Sequence, residues 1–87
     1  MIHELQASET EAARALEIQL FNLHGPLLSG EALWKTLGYR SAVAFRQAKV
    51  RKTLGVRTFK LPNRRANYAL TRDVARWLQG LSAEAPM

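Results

Sequence analysis

The chain has 87 residues, 47% of them hydrophobic, with a formal net charge of +6 and no cysteine. This length and apolar content fit one small domain with a modest core, so we expect residues 1–87 to form a single unit. The lack of cysteine excludes disulfide scaffolds, thiolate metal sites and thiol catalysis. Neither an apolar run long enough to span a membrane nor a signal-peptide pattern is present, and we expect a cytoplasmic protein.

The charge is distributed unevenly along the chain. Residues 1–31 contain five glutamates and one arginine, whereas residues 32–72 contain eleven lysines or arginines and no acidic residue. Self-repulsion among unopposed cations is relieved by a polyanion. The pattern therefore indicates a nucleic-acid partner. An acidic protein, a membrane surface or an ordinary solvated face are the alternatives.

The N-terminal segment, within residues 8–24, predicts a helix from Ser8 to Leu23. Its first residues, Ser-Glu-Thr-Glu, match a capping box. Ile18 and Phe21 lie on one side of this helix, and an apolar stripe lies on the other at helical spacing, made of Ala12, Leu16, Leu20 and Leu23. A helix with two apolar sides usually contacts two neighbours. We expect a homodimer with Ile18 and Phe21 in its interface; the alternative is that the helix only caps the core of a monomer.

The next segment predicts two short helices joined by a tight turn. Leu27 and Leu28 are apolar and fit an isolated β-bridge. A helix over 30–37, capped by Ser29, is followed by a turn over 38–40 and by a helix from Ala42 to about Thr53, capped by Ser41. Two short helices around a glycine-containing turn are typical of a helix-turn-helix.

The last third of the chain predicts a β-hairpin and a helix. Residues 56–61 and 66–70 alternate apolar and polar side chains around a turn at 62–65. Pairing them places Phe59 opposite Tyr68. Thr71 is expected to cap a final helix that runs to about Leu81, with an apolar stripe made of Val74, Trp77, Leu78 and Leu81. We therefore predict a mainly α fold, a winged helix-turn-helix over residues 28–81 with a two-stranded wing and an extra N-terminal helix.

The second helix of the helix-turn-helix is the candidate recognition element. We assign Ala44, Phe45 and Ala48 to the core, although an apolar side made of Val43, Val50 and Leu54 competes with this assignment. Arg46 and Gln47 then face outward, where both suit base edges. Phosphate contact by Arg46, and a solvated or buried amide for Gln47, are the alternatives.

Other residues suit contacts to the DNA backbone. The candidate phosphate contacts are Arg40, Ser41, Lys49, Lys52 and Lys60, and those of the wing tip are Asn63, Arg64 and Arg65. His3 and His24 are isolated, so no metal site is expected. The basic segment has no carboxylate from which an active site could be assembled, and we expect neither a catalytic residue nor a cofactor.

From Leu28 to Leu81 the chain resembles the MerR-like winged helix-turn-helix proteins of the AlpA and phage-excisionase group. The matching segments are Leu28–Leu33, Leu37-Gly38, Ala44-Phe45-Arg46, Phe59–Arg65 and Leu70–Leu78. The resemblance implies a transcriptional regulator or an excisionase, that is, a recombination directionality factor of a mobile element. The N-terminal helix and the link over 52–55 depart from the group. A basic protein-interaction adaptor and an RNA-binding module are the alternatives.

Overall fold

The computed structural model describes the backbone of residues 2–84 and the side chains of residues 11–84. This part of the chain is mainly helical, as predicted, with one two-stranded antiparallel sheet. The elements in chain order are α1 (Ile2–His24), β1 (Leu27–Ser29), α2 (Gly30–Thr36), α3 (Ala42–Val50), β2 (Tyr68–Leu70) and α4 (Thr71–Glu84). None of the described helices combines the length and the hydropathy that crossing a membrane requires.

The core lies where α1, α4 and the sheet meet. Leu28, Leu33 and Val74 are almost completely buried, and burying a side chain of this size contributes roughly 1.5–3 kcal/mol. Around them lie Leu20, Leu37, Phe45, Ala69 and Ala75. These residues come from every element, so each helix is fixed in place by the same cluster.

Helix α1 starts earlier than predicted and ends within one residue of its predicted end. It begins at Ile2, so the expected capping box at Ser8 falls inside the helix, and the Ser8 side chain itself lies outside the described residues. Leu16 and Leu20 pack against the core as expected. Leu23, predicted to continue their stripe, is 74% exposed, because α1 ends at His24 and the chain turns away at Gly25 (φ +79°).

Strand β2 does not form the predicted hairpin, and its partner in the sheet is β1. Leu28 lies opposite Ala69, and both are buried. Of the expected strand over 56–61 only Phe59 pairs, through a single antiparallel bridge to Tyr68 with N···O distances of 2.9 and 2.8 Å. The predicted opposition of Phe59 and Tyr68 is confirmed, and their rings stack with centroids 6.5 Å apart. The segment predicted to be the wing is therefore a loop closed by one bridge.

Thr71 was expected to cap α4, and this role is wrong. It is the first residue of the helix and is 1% exposed. Its hydroxyl donates to the carbonyl oxygen of Gly25 at 2.6 Å, and its backbone N–H donates to the carbonyl oxygen of Pro26 at 2.9 Å. Thr71 therefore fastens the start of α4 to the end of α1.

The segment after α3 packs on α4 through a glycine. A Cβ atom at residue 55 would overlap the indole ring of Trp77, which itself packs against the core. Gly80, in the third turn of α4, has nothing within 4 Å of the position of a Cβ atom. Gly55 is therefore in a packed site and Gly80 in an open one, so the same substitution at both positions tests the packing of Trp77.

We expect Gly55→Ala to lower the free energy of unfolding by about 1–3 kcal/mol, because the Trp77 ring has to shift in a packed site. Gly80→Ala should raise it by about 0.5–1 kcal/mol, since alanine is the better helix former. Urea unfolding followed by far-UV circular dichroism measures both, with m unchanged. A Gly55→Ala protein as stable as the wild type would contradict the packing of Trp77 on this segment.

Candidate nucleic-acid interface

Helix α3 is held by a cap at its start and by one buried face. Ser41 is the N-cap, and its hydroxyl oxygen accepts a hydrogen bond from the backbone N–H of Ala44 at 3.1 Å. Phe45 and Ala48 are buried, and the Phe45 ring meets Tyr39 edge-on with centroids 6.0 Å apart. The assignment of this face to the core is therefore confirmed. Of the competing apolar side, Val43 and Val50 are exposed, whereas Leu54 lies after the helix and packs against the core.

The opposite side of α3 faces solvent. Its outer face is made of Val43, Arg46, Gln47, Val50 and Arg51, which together line a shallow depression of about 270 Å³. All five residues are exposed. Arg46 and Gln47 thus lie where the sequence predicted them. Arg51, the C-cap residue of α3, was not singled out, although its position four residues after Gln47 could have indicated it.

The chain over residues 57–67, here named the basic loop, lies beside the start of α3. It makes a turn in which the Arg64 N–H donates to the carbonyl oxygen of Leu61 at 3.2 Å. Asn63 has φ +61°, and with Pro62 before it this geometry is that of a type II turn. The turn leaves Asn63, Arg64 and Arg65 exposed at its tip.

Arg46 of α3 and Arg65 of the basic loop line the same cavity, which measures about 240 Å³. Trp34 of α2 contributes to its wall together with the Ala66-Asn67 segment. The candidate base-contacting arginine and an arginine of the wing tip, nineteen positions apart in sequence, therefore border one cavity. An elongated ligand could contact both at once.

A side-chain hydrogen bond joins the basic loop to α3. The Lys49 ammonium donates to Oδ1 of Asn67 at 2.6 Å, and both residues are half-buried. An ammonium has three donors, so two stay available for another acceptor. Asn67 was missed by sequence analysis, because no local pattern shows that a residue before β2 meets a lysine eighteen positions away.

The other predicted phosphate contacts are more dispersed. Arg40, Lys52 and Lys60 are exposed, and Ser41 is half-buried at the cap of α3. Arg57 and Arg72, which the sequence did not single out, border a separate cavity of about 290 Å³ next to Phe59 and Asp73.

The cations of this region have few described acidic partners. Lys35 pairs with Glu31 at 2.5 Å on α2, and Arg72 lies 3.9 Å from Asp73. The basic residues between positions 40 and 65 form no ion pair with any carboxylate among residues 11–84. Their field is therefore directed to solvent, where salt or a polyanion screens it.

Helices α2 and α3 end in the same way but with different residues. In each, two backbone N–H groups after the helix bond back to carbonyls of its last turn, as in a Schellman motif. The left-handed residue is Gly38 (φ +93°) after α2 and Lys52 (φ +59°) after α3. A left-handed conformation strains a residue that has a Cβ atom, so Lys52 is held in an unfavourable geometry.

We expect Lys52→Gly to raise the free energy of unfolding by about 0.5–1 kcal/mol, because glycine adopts this backbone conformation without strain. Lys52→Ala removes the same charge but keeps the strain, so it serves as the control. Urea unfolding of the three proteins gives the comparison. A Lys52→Gly protein no more stable than Lys52→Ala would contradict the strain at this position.

Searches with family models, among curated proteins and among solved structures found no match to this chain. What the interface binds is therefore inferred from its own residues, their exposure and their charges.

Proposed function

We propose that this protein is a sequence-specific double-stranded DNA-binding protein. In this proposal α2 and α3 form a helix-turn-helix, α3 enters the major groove, and the basic loop is a short wing that contacts the adjacent backbone. The observation that carries the proposal is the shared cavity of Arg46 and Arg65, within a segment of 41 residues that has no acidic side chain. Duplex DNA supplies both a continuous anion and base edges for the exposed face of α3.

The residues divide into two roles in this complex. Arg46 and Gln47 are the base-contacting residues, since guanidinium and amide groups can make paired hydrogen bonds with guanine and adenine. The remaining cations position the protein on phosphates. They are Arg40, Lys49, Lys52, Lys60, Arg64 and Arg65, with Asn63 and the backbone at Ser41 as neutral donors.

A small regulator of transcription of the AlpA type is the biological role that fits best, with an excisionase as the second candidate. Both follow from the resemblance of residues 28–81 and need the same DNA contacts. A basic adaptor for an acidic protein, or an RNA-binding module, would use the same charge. The exposed Arg46 and Gln47 on the outer face of α3, whose groups suit base edges in the major groove, favour duplex DNA over both.

We expect affinity for duplex DNA to fall by orders of magnitude between roughly 50 and 200 mM salt, since binding releases counterions from several phosphates.

Arg46→Ala should weaken binding to the preferred site by about 1–3 kcal/mol and reduce the base preference at one position of that site. Arg64→Ala should weaken all sequences alike and reduce the slope of log K against log salt by about 1.

The measurement is a fluorescence titration at several salt concentrations, with a site selected from a random duplex library. Arg14→Ala is the matched control, because it removes the same charge from the exposed surface of α1 and should leave DNA affinity nearly unchanged. Undetectable binding to random and genomic duplex DNA even at low salt would refute the DNA proposal. Equal binding to single-stranded RNA would favour the RNA-binding module.

We also propose that two copies associate through α1. Ile18 and Phe21 are 53% and 51% exposed on this helix, while its other side packs on α4. The helix carries glutamates at positions 11 and 17, so it is repelled by phosphate and suits a surface away from DNA. Two-fold dimers are the usual means by which one helix-turn-helix reaches useful specificity.

Light scattering should show a dimer for the wild type and a folded monomer for Phe21→Glu, because a carboxylate in an apolar interface is costly. Gln19→Glu, at another exposed position of the same helix, adds the same charge and controls for it. A folded wild-type monomer at high concentration would refute the dimer. A Phe21→Glu protein that unfolds outright would show instead that the helix caps the core.

A further inference from the structure

Two exposed valines lie on the outer face of α3. Val43 is 53% exposed and Val50 is 81% exposed. They are seven residues apart, which places them on the same side of the helix and about 10 Å apart along its axis. Both line the depression that Arg46, Gln47 and Arg51 complete. The surface is therefore an apolar strip bordered by hydrogen-bond donors.

The size and setting of this strip narrow the choice of partner. A stable protein interface covers about 800 Å² on each side, far more than two valine side chains provide. The basic residues at its border, without a described acidic partner between positions 40 and 65, favour an anionic surface. The ligand must therefore combine negative charge with small apolar groups that two side chains about 10 Å apart can reach.

The major groove of DNA has this combination. Thymine presents its C5-methyl group there, and apolar side chains contact it. We infer that Val43 and Val50 contact thymine methyl groups and so favour A·T pairs next to those that Arg46 and Gln47 recognise. This inference rests on the proposed DNA binding, and it adds the bases that the two valines select. Since the valines lie about 10 Å apart, they meet different base pairs.

The test replaces single thymines by uracil in the selected duplex, which removes only the methyl group. Uracil at one or two positions should weaken wild-type binding roughly fourfold each, as expected for one methyl group taken out of contact. The uracil effect at one position should disappear in Val43→Ala, and that at the other in Val50→Ala. Leu81→Ala, an exposed leucine of α4, is the control and should keep both effects.

Three outcomes would contradict the proposed contacts to thymine methyl groups. The thymine contact is overturned if the selected site contains no thymine. It is also overturned if no uracil substitution changes the affinity; in both cases DNA binding itself stands. Uracil effects that persist unchanged in both valine variants overturn it as well, because the methyl groups then act without the two valines. Absence of any duplex binding at low salt refutes the proposed function and this inference together.

Discussion

The pairing of β1 with β2 is the interaction on which the rest of the structure depends. It joins residues 27–29 to residues 68–70, so the chain between them, including α2, α3 and the basic loop, is a closed loop. The entropy lost on closing a loop grows only slowly with its length, and burial of Leu28 and Ala69 opposes that loss. The loop contains nearly all of the acid-free segment, so one short sheet holds the cations together.

Much of the fold could be predicted because its signals are local. The four helices were predicted mainly from apolar spacing. The expected cap bond of Ser41 is present, to Ala44, whereas Ser29 precedes α2 without a side-chain cap bond. The buried face of α3 was also predicted from its alanines and Phe45, although Val43 and Val50, which are exposed, and Leu54 competed with it. In the structure the Phe45 ring is buried and meets Tyr39 edge-on, a contact that no local pattern contains.

The remainder could not be predicted because it depends on partners distant in sequence. The alternation in residues 66–70 indicates a strand, but it does not say whether β1 or the 56–61 segment pairs with it. In the structure the backbone of Tyr68 pairs with Ser29 on one side and with Phe59 on the other. The hydrogen bond between Lys49 and Asn67 likewise joins residues that are distant in sequence. Long-range contacts of this kind position the candidate site, although each of its cations was visible in the sequence.

The single bridge at Phe59 leaves the neighbouring backbone of the basic loop as an incomplete sheet edge. Such an edge can pair with the same edge of another molecule and start aggregation. Arg57 and Lys60, both exposed, stand on either side of the bridging residue, and two copies brought edge to edge would bring these like charges together. The charges of Arg57 and Lys60 therefore oppose self-association of the protein through this edge, and high salt, which screens them, would weaken that opposition.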